Sequence, residues 1–180
     1  MLSWFNKLKL GKKISLGFTV IIVILLINSL LNYYYLNELN KINTARNTAT
    51  ELISSVDKAF TDYLSTESFH MHYLIGMKQA SLDDYLETEK RVIENLKKLD
   101  EMGNETAENH KRLLEISKLT EEQFKLNRIS IENIKKGEKE KALRTEEGGI
   151  DQNYAVKIKS FFNEIKQDEQ KIIEELRIAR

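Results

Sequence analysis

Twenty-four consecutive residues, Ile14 to Asn37, carry no charge (ISLGFTVIIVILLINSLLNYYYLN). Coiled as a helix they reach about 36 Å, enough to cross a hydrocarbon core of about 30 Å. Phe18 to Leu31 supplies the apolar centre, and Tyr33, Tyr34 and Tyr35 stand where an aromatic belt meets the far headgroups, with Trp4 and Phe5 before the near side. A cleaved leader has a shorter apolar region that ends in small residues. This one ends in Asn-Tyr-Tyr-Tyr, which favours an uncleaved anchor over a leader or a buried helix of a soluble protein. Lys7, Lys9, Lys12 and Lys13 are the only charges before Glu38, and they predict a cytoplasmic N-terminus. The expected layout is a basic cytoplasmic tail at 1–13, a transmembrane helix at 14–35 and an extracytoplasmic domain at 36–180, single-pass in a cell membrane.

The rest of the chain has a different character. The whole sequence has 28 Lys plus Arg and 28 Asp plus Glu; setting aside the four N-terminal lysines leaves 24 basic against 28 acidic residues. A mildly acidic, evenly charged domain argues against a nucleic-acid binder, which would show a basic excess or stripe. Proline, which breaks helix interiors, is absent, which suits long helices with few connections. Leu39, Ile42, Arg46, Ala49, Ile53, Val56, Phe60, Tyr63, Glu67, His70 and Leu74 recur at alternating steps of three and four, the seam of a bundle helix. No glycine lies between Tyr35 and Gly76, so this helix is expected to continue the membrane span.

A second segment, Leu82 to Met102, carries Tyr85, Val92, Leu96 and Leu99, widened by Leu86 and Ile93. Met102-Gly103-Asn104 reads as a stop, with Asn104 or Thr106 capping the next helix. A third segment from Glu105 to Lys136 has a broader, less regular face of Leu113, Ile116, Leu119, Phe124, Leu126, Ile131 and Ile134. Gly137 interrupts it, Glu138 to Arg144 adds a helical turn or two, and Glu146-Glu147-Gly148-Gly149 is expected to turn. The last segment returns to strict spacing at Tyr154, Ile158, Phe161, Ile165, Asp168, Ile172, Glu175 and Ala179. The predicted fold is all-α: a transmembrane helix running into an antiparallel up-down four-helix bundle.

No chemistry of the reactive kind is visible. Cysteine is absent, and there is no phosphate-binding glycine loop, nucleophile elbow or zinc helix, so neither an enzyme nor a cofactor is expected. His70 and His72 point about 200° apart on a helix and cannot share an ion; Glu67 with His70 gives two ligands and no third. His110 is expected in solvent. Arg46, Glu67, His70 and Asp168 interrupt otherwise apolar seams, as does Glu175. A charge in a seam pairs, reaches water or sits at a loose part of the bundle, and register control explains such residues as readily as function does. The functional alternative makes Arg46, Glu67, His70 and Asp168 parts of a polar pocket between helices.

The opening Lys7-Leu8-Lys9-Leu10-Gly11-Lys12-Lys13-Ile14-Ser15-Leu16-Gly17-Phe18 is similar to the start of many methyl-accepting chemotaxis proteins. Glu67, Tyr73-Leu74-Ile75 and Tyr85 resemble a Glu, a Tyr-Leu-Leu and a later Tyr of the CHASE3 family, extracytoplasmic four-helix sensor domains of histidine kinases and chemoreceptors. Gly148-Gly149, Asp168-Glu169, Glu174-Glu175-Leu176 and Arg180 fit its later part. Met71 stands where that family has Arg, and Gly76-Met77-Lys78 replaces Thr-Gly-Asp, so no role of those residues carries over. The resemblance implies a homodimeric, membrane-anchored sensor that detects a small molecule or a protein and relays helix displacement. A single-span adaptor whose bundle recruits another protein is the alternative; a second apolar span and a signalling module beyond Arg180 would speak for the receptor.

Overall fold

With no proline to break a helix from within, the computed structural model is all-α across the residues it describes, 9–102, 107–151 and 153–178. Five helices are described: α1 (Leu10–Gly76), α2 (Gln79–Met102), α3 (Ala107–Lys135), α4 (Lys139–Asp151) and α5 (Tyr154–Ile178). The readings placed on Trp4, Phe5, Lys7, Leu8, Gly103, Asn104, Glu105, Thr106, Ala179 and Arg180 fall outside the described residues. By internal contacts the chain divides into two units, Met1–Ala45 and Arg46–Arg180.

In the first unit every large apolar side chain from Ile14 to Leu36 is exposed. By length and composition α1 is apolar enough to cross a membrane, and none of its most apolar window is buried. The helix passes Leu36 and the first acidic residue without interruption.

The second unit buries two apolar clusters. The larger takes Leu52, Val56, Ala59 and Tyr63 from α1, Val92, Leu96 and Leu99 from α2, Leu113, Ile116, Leu119 and Phe124 from α3, and Ile158, Phe162 and Ile165 from α5. The smaller gathers Tyr73, Leu74, Leu82, Tyr85, Ile131, Ile134 and Ala142. Cross-helix contacts run in opposite order along α1 and α5, where Lys166 Nζ meets Asp57 at 2.6 Å and the Phe60 and Phe162 rings lie 5.4 Å apart. Along α1 and α3 they run in the same order: Glu67 meets Asn127 and His70 meets Ser130.

The buried stripes differ from the predicted ones by one residue at every second position. On α1 the buried column is Ala49, Leu52, Val56, Ala59, Tyr63, Thr66, His70 and Tyr73, with Leu74 beside it. Ala49, Val56, Tyr63 and His70 belong to both columns; Ile53, Phe60 and Glu67 give way to Leu52, Ala59 and Thr66. A helix that faces more than one neighbour buries a stripe wider than a two-position seam, and small residues such as Ala59 and Thr66 admit close approach. Bulky Phe60 then packs from the flank. The same slide occurs on α5, where Phe162 and Glu169 are buried and Phe161 and Asp168 only half so. Leu86 and Ile93, expected to widen the buried face of α2, are exposed.

The turns also depart from glycine punctuation. Gly137, at φ 79°, closes α3 as predicted: its N–H donates to Ile134 O at 2.9 Å and that of Glu138 to Asn133 O at 2.8 Å. That pair of bonds is a Schellman motif. Gly76 remains helical, and the left-handed residue is Met77, whose N–H donates to Tyr73 O at 2.7 Å. Gly148 and Gly149 lie inside α4 instead of forming a turn, and the left-handed residue before α5 is Asn153, φ 53°. Backbone hydrogen bonding outweighs the modest helix penalty of glycine there.

Candidate functional site

Between the two apolar clusters lies a layer of polar side chains, buried except for Glu67, which is half-buried. It is built where α1 presents Thr66, Glu67 and His70, α2 presents Thr88 and Glu89, and α3 presents Gln123, Asn127 and Ser130. Two of these groups are satisfied within their own helices, Thr66 Oγ1 donating to Asp62 O and Thr88 Oγ1 to Asp84 O, each at 2.8 Å. The others bond across helices.

Glu67 is held by amides. Asn127 Nδ2 donates to one carboxylate oxygen at 2.9 Å and Gln123 Nε2 to the other at 3.2 Å. Gln123 Nε2 also lies 2.9 Å from Asn127 Oδ1, which ties the two donors together. Next to this, His70 Nε2 is 2.7 Å from Ser130 Oγ, and that hydroxyl donates to Asn127 O at 2.8 Å. Because the serine proton is committed to the carbonyl, its oxygen accepts from the histidine, which makes Nε2 the protonated nitrogen of a neutral ring. Burial lowers the His70 pKa from 6.5 to about 4, with the Asn127 backbone pulling the other way.

Aromatic rings frame the layer. His70 and Tyr85 lie 5.5 Å apart, Tyr85 and Phe124 6.5 Å, and Phe124 and Tyr63 6.4 Å. Burial raises the pKa of both tyrosines, helped by Glu67 at Tyr63 and first by Glu89 at Tyr85. Both hydroxyls therefore stay protonated. Glu89 closes the α2 side, paired with Arg128 of α3. Its burial raises its pKa and the guanidinium works against that rise.

Of the four residues singled out in the sequence, the structure brings Glu67 and His70 together. Arg46 is exposed, some 32 Å earlier along α1 by residue count. Asp168 belongs to a separate knot with Arg112 Nη1 at 2.6 Å and Lys171 at 3.4 Å, where Arg112 also reaches Glu164 and Glu108. The Arg112 hydrogen bond holds the Asp168 carboxyl below its ordinary range. That knot sits about 17 Å or more along α3 from Gln123. His110 is half-buried, 2.9 Å from Asp100, and not free in solvent. No group of three metal-ligating side chains occurs among the described residues.

Gln123, Asn127, Ser130, Glu89 and Arg128 escaped the search for apolar periodicity. For Gln123, Asn127 and Ser130 the signal was nevertheless present. Asn109, Leu113, Ile116, Thr120, Gln123, Asn127, Ser130 and Ile134 repeat at four-three spacing and are all buried. The seam of α3 is as regular as that of α1, with polar residues at five of these eight positions.

Among known protein families, the CHASE3 domain model matches residues 43–178. No curated protein and no solved structure matches the chain.

Proposed function

This chain belongs to the CHASE3 family of sensor domains, and we propose that it is the extracytoplasmic sensory region of a membrane receptor, anchored by α1. In this reading α1 beyond Ala45, α2, α3 and α5 form an antiparallel up-down bundle. The contact order along α1, α3 and α5 supports that arrangement. The observation that carries the proposal is that one helix contains both an apolar span of bilayer length and three members of the polar layer, Thr66, Glu67 and His70.

The polar layer gives the bundle a plane at which its packing can change. Apolar side chains interdigitate and resist displacement, whereas amide and carboxylate groups can exchange partners at comparable energy. A ligand or partner moves such an equilibrium only by the difference in its affinity for the two packings. The relayed quantity would be a displacement of α1, with output from a chemoreceptor or histidine-kinase module.

The test uses the absence of cysteine. A single Lys118→Cys variant should react with a membrane-impermeant maleimide in intact cells. Gly-Gly inserted between Glu38 and Leu39 in the intact receptor should weaken signalling while leaving the domain folded. Protection of the cysteine from the reagent, or undiminished signalling after the insertion, refutes the reading.

A further inference from the structure

Exposed Leu86 and Ile93 on α2 mark a surface that the polar layer does not use. Beside Ile93, a groove of about 430 Å³ opens between α2 and α3. Leu96 and Phe124 form its floor, with Ile93 and Leu114 on the walls. Phe124 is buried and stands against the Tyr63 and Tyr85 rings, so the floor of the groove is the edge of the polar layer.

The ends of the groove differ in charge. At one end is Arg128, whose side chain is half exposed and whose Nη1 pairs with Glu89. A guanidinium carries five N–H donors, and neither Nε nor Nη2 bonds another described residue. Lys97 adds a second cation to the wall and forms no ion pair among the described residues. Of the carboxylates in the wall, Glu121 is paired with Lys125 at 3.3 Å, and Asp100 lies 2.9 Å from a ring nitrogen of His110, at the end of the groove away from Arg128. From Arg128 to Leu114 the groove follows about 21 Å of α3. The volume suits a small ligand, and the unused guanidinium donors suit a carboxylate taken two bonds at a time.

We propose that this groove binds an amphipathic organic carboxylate, its head on Arg128 and its apolar body against Ile93, Leu96 and Leu114. The bound head would share the guanidinium with Glu89, and the body would lie on Phe124, so occupancy reaches the polar layer through both residues. The binding claim stands independently of the sensory reading, because it is measured without any signalling output.

The full chain in nanodiscs, carrying Ser117→Cys alkylated with a trifluoromethyl tag, is titrated with phenylbutyrate and with its neutral analogue phenylbutyramide, followed by fluorine NMR. Phenylbutyrate should shift the resonance saturably and bind about tenfold more tightly than the amide. Arg128→Gln should erase that preference, and Ile93→Trp, which fills the groove, should remove the shift. Since Arg128→Gln leaves Glu89 unpaired, the Glu89→Gln/Arg128→Gln double variant repeats the measurement without a buried lone charge. Equal affinity for acid and amide in the parent chain, the absence of a saturable shift, or an acid preference that survives the double variant overturns the proposal.

Discussion

His70 is the residue at which burial and titration meet. Free in an unfolded chain its ring titrates near 6.5; folded, at about 4. Between these values the unfolded chain holds more protons, so stability is lost as pH falls through that window and is fully present above it. The complete effect is roughly 3 kcal/mol. Glu89 acts in the opposite sense, since its raised pKa means that acidification first removes a desolvated charge. Chemical denaturation of the full chain across the window should show the net slope, and His70→Gln should leave only the opposing Glu89 contribution. A slope unchanged by the substitution would mean that the ring is hydrated in solution. Met77 poses a simpler residue-scale question. Its left-handed backbone costs a side chain about 1–2 kcal/mol, so Met77→Gly should raise the melting temperature although it removes an exposed apolar side chain.

At the scale of the helix, period and register were separable. The alternation of three and four along α1 and α5 was legible because apolar side chains recur there. The column that would be buried was not, because seam positions such as Ile53 and Leu52 are equally apolar and differ only in which neighbour they meet. The observed column places Ala59 at full burial. Ala59→Leu should therefore cost about 1–3 kcal/mol by overpacking, whereas the half-buried neighbour changed in Phe60→Leu should cost less; thermal melts of the two variants decide the register. On α3 the difficulty was of another kind. A rule that follows apolar residues passes over Gln123, Asn127 and Ser130, although their spacing is that of a seam. The two glycines of α4 illustrate the converse, since a turn-forming composition does not compel a turn.

Across the second unit, the polar layer divides what would otherwise be one continuous core. Single and collective substitutions there should have opposite signs. Asn127→Ala strips Glu67 of a donor and should destabilise by about 1–3 kcal/mol. Replacing the linked group together, Glu67→Leu with Gln123→Leu and Asn127→Leu, should be neutral or stabilising by about 1–4 kcal/mol, because the carboxylate and both of its amide donors leave at once. Denaturation midpoints would separate the two cases. If the triple variant is more stable yet unresponsive in an intact receptor, the layer is maintained for switching and not for stability.

By itself the sequence determined the helical class, the bilayer-length apolar stretch and the family likeness carried by Glu67, Tyr73-Leu74-Ile75 and Tyr85. These follow from local properties: the absence of proline, the run of uncharged residues and the period of the apolar ones. Only the tertiary structure decided that Glu67 meets Asn127 and Gln123, that His70 meets Ser130, and that Arg46 and Asp168 lie elsewhere. Seam spacing marks which polar residues can face inward, as His70 does and exposed Arg46 does not, but the partner is set by the axial offset between helices, which is fixed jointly by all the side chains that pack between them.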